Sequence, residues 1–132
     1  MRMNSVSGII CLVKDLETSV AFYETLGFVL KKRVPDIAAT VHLNSFWIEF
    51  LLEDRVVTEA LKSDVPISSK GAGQYIHINV EDVDEFYEDV IAKGLRPLSR
   101  PQDFPWGHRE FVVQDPSGYK LVLYTRINKD IA

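Results

Sequence analysis

Val13-Lys14-Asp15-Leu16 and Val80-Glu81-Asp82-Val83 stand 67 positions apart, and so do Gly27 and Gly94. A fixed offset between matching segments is the mark of an internal repeat, and it restricts the chain to folds built from two copies of one unit. In each copy an aspartate precedes an amphipathic stretch, where its carboxylate can accept from the open N–H groups of a first helical turn. Glu17 adds negative charge at the end of the helix dipole that favours it. Leu16, Val20, Tyr23 and Leu26 recur at helical spacing with Phe22 beside them, and Val83, Phe86, Tyr87, Val90 and Ile91 do the same in the second copy. Gly27 and Gly94 are the expected helix stops. Before each aspartate lies a short alternating stretch, with Ile9, Cys11 and Val13 on one face of the first and Tyr75–Val80 forming the second.

The remaining segments read as strands. Phe28–Val34 is followed by a turn at Pro35-Asp36, and Ile37–Leu43 pairs with Phe46–Leu52 across Asn44-Ser45. Glu53–Gly73 is a linker holding a short helix near Val57–Leu61. In the second half Arg96–Arg100, Arg109–Gln114 and Tyr119–Arg126 are expected strands, Pro101–His108 a loop with His108 exposed, and Asn128–Ala132 a frayed tail. The expected class is α+β: two tandem β-α-β-β-β modules over residues 5–54 and 73–126, joined by linker 55–72 with the boundary near Lys70. Helices lie outside and each curled sheet keeps one face open.

The 132 residues suit one domain of two modules, and 46% hydrophobic content supports a buried core. A net charge of −4 argues against nucleic acid. The single cysteine, Cys11, rules out an internal disulfide and a cysteine-based zinc site; its core-facing parity predicts a packed small hydrophobe. The polar start Met1–Ser7 and the lack of a long apolar run predict no signal peptide and no membrane span, hence a cytoplasmic protein.

Two stretches carry a family resemblance: Val13–Phe28, VKDLETSVAFYETLGF, and Pro105–Leu121, PWGHREFVVQDPSGYKL. Together with the repeat they resemble the vicinal-oxygen-chelate superfamily of glyoxalases, bleomycin-resistance proteins and extradiol dioxygenases. The Trp-Gly, Arg-Glu-Phe and Asp-Pro-x-Gly elements of the second stretch resemble the bleomycin-resistance branch. In the family's metal enzymes the first and last strands of each module each aim one ligand into a cup, usually His or Gln from the first strands and Glu from the last. The matching positions here are Gly8, Tyr75, Glu49 and Val122. Only Glu49 suits a metal, so the resemblance implies a protein without metal or other cofactor.

Strand alternation points Trp47, Glu49 and Leu51 to the open face of the fourth strand, and Lys120, Val122 and Tyr124 to that of the last. Tyr75, His77 and Asn79 join from the second module, and His42 has the same parity in the third strand. Arg109 and Glu110 have opposite parities, and the pattern does not say which enters the cup. His42, Trp47, Glu49, Tyr75, His77, Trp106 and Tyr124 are the expected ligand-binding residues, an aromatic set with a few polar points. The expected function is binding of an antibiotic-like, partly cationic aromatic molecule by a homodimer, with no catalytic residue. One alternative is a lyase, isomerase or dioxygenase using a displaced metal on Glu49, His77 and His42, or Glu49 as base. Another is an interaction module without catalysis.

Overall fold

The computed structural model describes residues 1–56, 60 and 71–127. The elements run β1 (Gly8–Val13), α1 (Leu16–Leu26), β2 (Val29–Val34), β3 (Ala38–Leu43), β4 (Phe46–Leu52), a 3-10 turn at Glu53–Arg55, β5 (Tyr75–Asn79), α2 (Val83–Ala92), β6 (Gln102–Asp103), β7 (His108–Gln114) and β8 (Lys120–Arg126). The short helix expected over residues 57–61 rests on positions of which only Ala60 is described, and the tail at 128–132 lies outside the described residues. Contacts divide the chain into two compact units, Met1–Ser68 and Ser69–Ala132. Each holds one four-stranded mixed sheet, ordered β1-β4-β3-β2 in the first and β5-β8-β7-β6 in the second. The α+β class and the order β-α-β-β-β in each unit match the sequence pattern.

The repeat is visible in individual hydrogen bonds. Asp15 accepts from the Thr18 N–H at 3.0 Å, and Asp82 from the Glu85 N–H, 67 positions on, at 3.1 Å. At the helix ends Phe28 N–H donates to the Tyr23 carbonyl and Leu95 N–H to the Val90 carbonyl, both at 3.0 Å. These are the long bonds of a Schellman turn, and they need a left-handed residue just past the helix. Gly27 and Gly94 supply it, with φ of 111° and 88°.

In the first unit Tyr23 is fully buried and its ring meets Phe28, Phe50 and Phe22 at 5.0–5.3 Å. Ser19 is buried on the same helix face without breaking it, because its hydroxyl donates to the Asp15 carbonyl at 2.9 Å. Cys11 is buried beside this core, as its parity predicts. In the second unit Val83, Val90, Phe111, Val113, Leu121 and Leu123 are buried, and Tyr87 meets Phe111 edge-on. Ile91, expected in the helix stripe, is 43% exposed, because Val90 takes the position that faces the sheet.

Two further expectations are corrected here. Arg96–Arg100 is not a strand. Pro97 has no N–H to offer a ladder; instead Leu98 N–H donates to the Val112 carbonyl at 2.8 Å, and the Ser99 hydroxyl accepts from Val112 N–H at 3.0 Å. The short edge strand of this sheet falls later, at Gln102–Asp103. His108 is not an exposed loop residue but the first residue of β7, 5% exposed and opposite Arg126 on β8.

Candidate functional site

The open face of the second unit is fixed by the register of β5, β8 and β7. His77 pairs with Val122, Asn79 with Tyr124 and Glu110 with Tyr124, so His77, His108, Glu110 and Tyr124 project from the side opposite Phe111, Val113, Leu121 and Leu123. The Tyr124 ring lies nearly flat against two imidazoles, 4.1 Å and 20° from His77 and 4.2 Å and 17° from His108. The two imidazoles are 5.3 Å apart.

Glu110 answers the question of which neighbour enters this face. Arg109 shares the parity of Phe111 and turns to the helix side, where its guanidinium donates to Asp84 on α2 and to Asp103 on β6. Those hydrogen bonds, Asp84 first, hold Arg109 above even its usual high pKa. Glu110 points the other way. Its carboxylate is 3.8 Å from His108 Nδ1 and accepts from the Trp106 indole N–H at 2.8 Å.

The turn that carries Trp106 is built by local chemistry. Gly107 N–H donates to the Phe104 carbonyl at 3.1 Å and Phe104 N–H to the His108 carbonyl at 2.8 Å. Pro105 sits at the second position of this turn, which its ring pre-shapes. The left-handed Gly107, φ 89°, then returns the chain into β7. The turn lays Phe104 flat on Trp106 at 4.6 Å and 7°, and leaves the indole half exposed above Glu110.

The surroundings act on His77 in a definite direction. The residue is exposed overall, yet its ring lies against Tyr124 and near His108. This partial loss of water lowers its pKa below the usual 6.5; the Glu110 charge opposes the shift and His108 adds to it. His77, His108 and Glu110 each offer a ligand atom, and these atoms lie within 4.8 Å of one another. It is the one such group of three among the described residues. Tyr75 stands apart from it at the start of β5, opposite Lys120 and 64% exposed.

The first unit presents a second open face. Trp47, Glu49, His42 and Thr40 share it, with His42 opposite Trp47 and Thr40 opposite Glu49. The His42 and Trp47 rings are 5.6 Å apart, and Glu49 and His42 are half-buried. A Cβ placed on Gly8 would fall 2.3 Å from Trp47 Cδ1, so the indole occupies the space a side chain on β1 would need. His42 and Glu49 belong to the first unit and His77 to the second. Within the second unit the geometry groups His77 with His108 and Glu110.

His108 and Phe104 are residues of this face that sequence reasoning missed, and Glu110 is one it left open against Arg109. The run Phe111-Val112-Val113 is apolar on both parities, which hides the face of β7. Counting the strand from His108 and taking Arg109 with Phe111 would have aligned His108 and Glu110 with His77.

Two β-α-β-β-β units in tandem, each with a four-stranded mixed sheet, place the chain among α+β proteins of repeated-module architecture. The chain belongs to the glyoxalase/bleomycin resistance protein/dioxygenase superfamily, whose family model matches residues 5–123. It is 31% identical over 114 residues to an uncharacterized protein of Mycobacterium bovis, an alignment spanning 82% of this chain and 74% of the relative. A glyoxalase/bleomycin resistance protein/dioxygenase from Nocardioides superposes with a TM-score of 0.78 at 22% identity, over 98% of this chain and 87% of its own. The lactoylglutathione lyase of Agrobacterium tumefaciens does so with 0.73 at 15% identity, over 95% and 96%. Both structural likenesses speak to fold. No helix among the described residues is long and apolar enough to cross a membrane.

Proposed function

We propose that the protein is a small-molecule-binding member of its superfamily that takes an aromatic, partly cationic ligand, of the kind bleomycin-resistance proteins sequester, on its open sheet faces. The observation that carries this reading is the Glu110 carboxylate beside flat aromatic surface: Trp106 donates to it at 2.8 Å, and Tyr124 stands opposite it on β8. A cation placed there meets negative charge and ring faces together. Stacking a cation on an indole contributes about 0.5–2 kcal/mol, and a hydrogen bond to a charged group about 1.5–3 kcal/mol. Trp47 and Glu49 offer a similar pairing of ring and carboxylate in the first unit. Binding without chemistry is the proposed activity, in a cytoplasmic homodimer.

The test is fluorescence titration in a Trp47→Phe background, where Trp106 is the remaining tryptophan, with a chelator present throughout. A panel of cationic aromatics including bleomycin should quench it. Glu110→Gln should weaken a cationic ligand about tenfold, since about 1.4 kcal/mol is one decade, and leave a neutral ligand of similar shape unchanged. No quench by any member of the panel would overturn the reading.

A further inference from the structure

We propose that His77, His108 and Glu110 form a binding site for a divalent first-row transition-metal ion, zinc, nickel or iron in type. The positions differ from the four at which the family resemblance places metal ligands, Gly8, Glu49, Tyr75 and Val122. The sequence leads to the expectation of a protein without metal, with Glu49, His77 and His42 as the displaced alternative; the proposal departs from that expectation and replaces Glu49 and His42 by His108 and Glu110.

The donor set is two imidazoles and one carboxylate. Imidazole suits zinc, copper, iron and nickel, whereas magnesium and calcium favour all-oxygen sites. The spacing is close to what such an ion needs. Two ligands at about 2.1 Å on a tetrahedral ion sit about 3.4 Å apart; His108 Nδ1 and Glu110 Oε1 are 3.8 Å apart, and all the ligand atoms lie within 4.8 Å.

Supporting contacts are already present. The ligands come from two strands of one sheet, β5 and β7, with β8 between them. A ligating carboxylate is usually oriented by a hydrogen-bond donor behind it, and the Trp106 indole holds Glu110 in that way. A carboxylate has about four lone-pair sites, so the indole bond leaves room for a metal. Tyr124 lies flat against both imidazoles and restricts their rotation. His108 is buried and the Glu110 side chain is 12% exposed, while His77 is open to solvent. The trio therefore has a closed floor and an entry side. Three protein ligands leave at least one coordination position for water or a bound molecule.

This inference shares Glu110 and Trp106 with the small-molecule reading; metal alone is the probe here and a chelator is present there, so either can fail without the other. Chelator-treated full-length protein is titrated with Zn²⁺ and followed by calorimetry, and by NMR of the three histidine rings. The proposal expects one Zn²⁺ per chain, ring shifts at His77 and His108 and none at His42, and no displacement by millimolar Mg²⁺. His77→Ala and His108→Ala should each weaken Zn²⁺ about a hundredfold, and Trp106→Phe about tenfold, the range seen when the outer support of a ligand is removed. Glu24→Gln, an exposed carboxylate on α1, should leave the affinity unchanged. The ring signals of the unmodified protein keep the test valid even where a variant folds poorly. Unperturbed His77 and His108 rings at saturating Zn²⁺, or an affinity that survives His77→Ala, would show the trio to be a polar cluster and overturn the proposal.

Discussion

The Trp47 indole lies over Gly8, so close that a Cβ on Gly8 would meet its Cδ1 at 2.3 Å and the Trp47 carbonyl oxygen at the same distance. At a position where the resemblance calls for a metal-ligating side chain, this chain has none and fills the space with a ring from the neighbouring strand. Gly8→Ala should destabilise the fold by about 1–3 kcal/mol, the usual range for overpacking. Trp47→Phe should not rescue it fully, because the carbonyl clash is with backbone. Urea midpoints of the single and double variants measure both, and an Ala variant as stable as the parent would contradict the model of this contact.

The two helix caps hold matching positions in the repeat and lie far apart in sequence. Asp15→Ala and Asp82→Ala should each cost about 1 kcal/mol. As caps of separate helices in separate units, their effects should add within about 0.5 kcal/mol. Asp82 accepts from two N–H groups and Asp15 from one among the bonds described, so Asp82→Ala should cost the more. Denaturant unfolding of the pair and the double variant decides the ranking.

His77 should titrate below 6.5 in chelator-treated protein, because partial burial against Tyr124 and His108 disfavours the imidazolium. Glu110→Gln should lower it further, since the Glu110 charge is the influence raising it. A folded pKa below the unfolded one means the unfolded chain binds the proton first as pH falls. The contribution of His77 to stability is thus fully present above about 6.5 and is lost as pH drops through the folded value. Ring-proton shifts across pH 4 to 8 (roughly the span that brackets an ordinary histidine) read the midpoint, and a value above 6.5 would refute the burial argument.

The sheets end in the edge strands β1 and β2 in one unit and β5 and β6 in the other. Unpaired edges and exposed apolar side chains favour association, and Ile10, Val29, Tyr75 and Leu98 are each more than half exposed. We expect a two-fold homodimer, checked by sedimentation at micromolar concentration. A lone 15.0 kDa species would dismiss it.

Much of this fold is legible in the sequence because its signals are local. Asp15 and Asp82, Gly27 and Gly94 act within one helical turn of themselves, so a 67-residue offset between them carries over directly into equivalent hydrogen bonds. Trp47, Glu49, His77 and Tyr124 could be assigned a face from alternation alone, since each lies in a strand whose other parity is clearly apolar. What only the tertiary structure decided is the company these residues keep. Arg96–Arg100 has strand-like composition, yet Pro97 and the Ser99 hydroxyl divert its hydrogen bonds. His108 is next to a glycine and reads as a loop residue until pairing with Arg126 places it in β7. The approach of His77 to His108 and Glu110 depends on β8 lying between β5 and β7, a non-local pairing. No spacing along the chain encodes it, because the strands meet through a sheet register set by the buried residues on the opposite face.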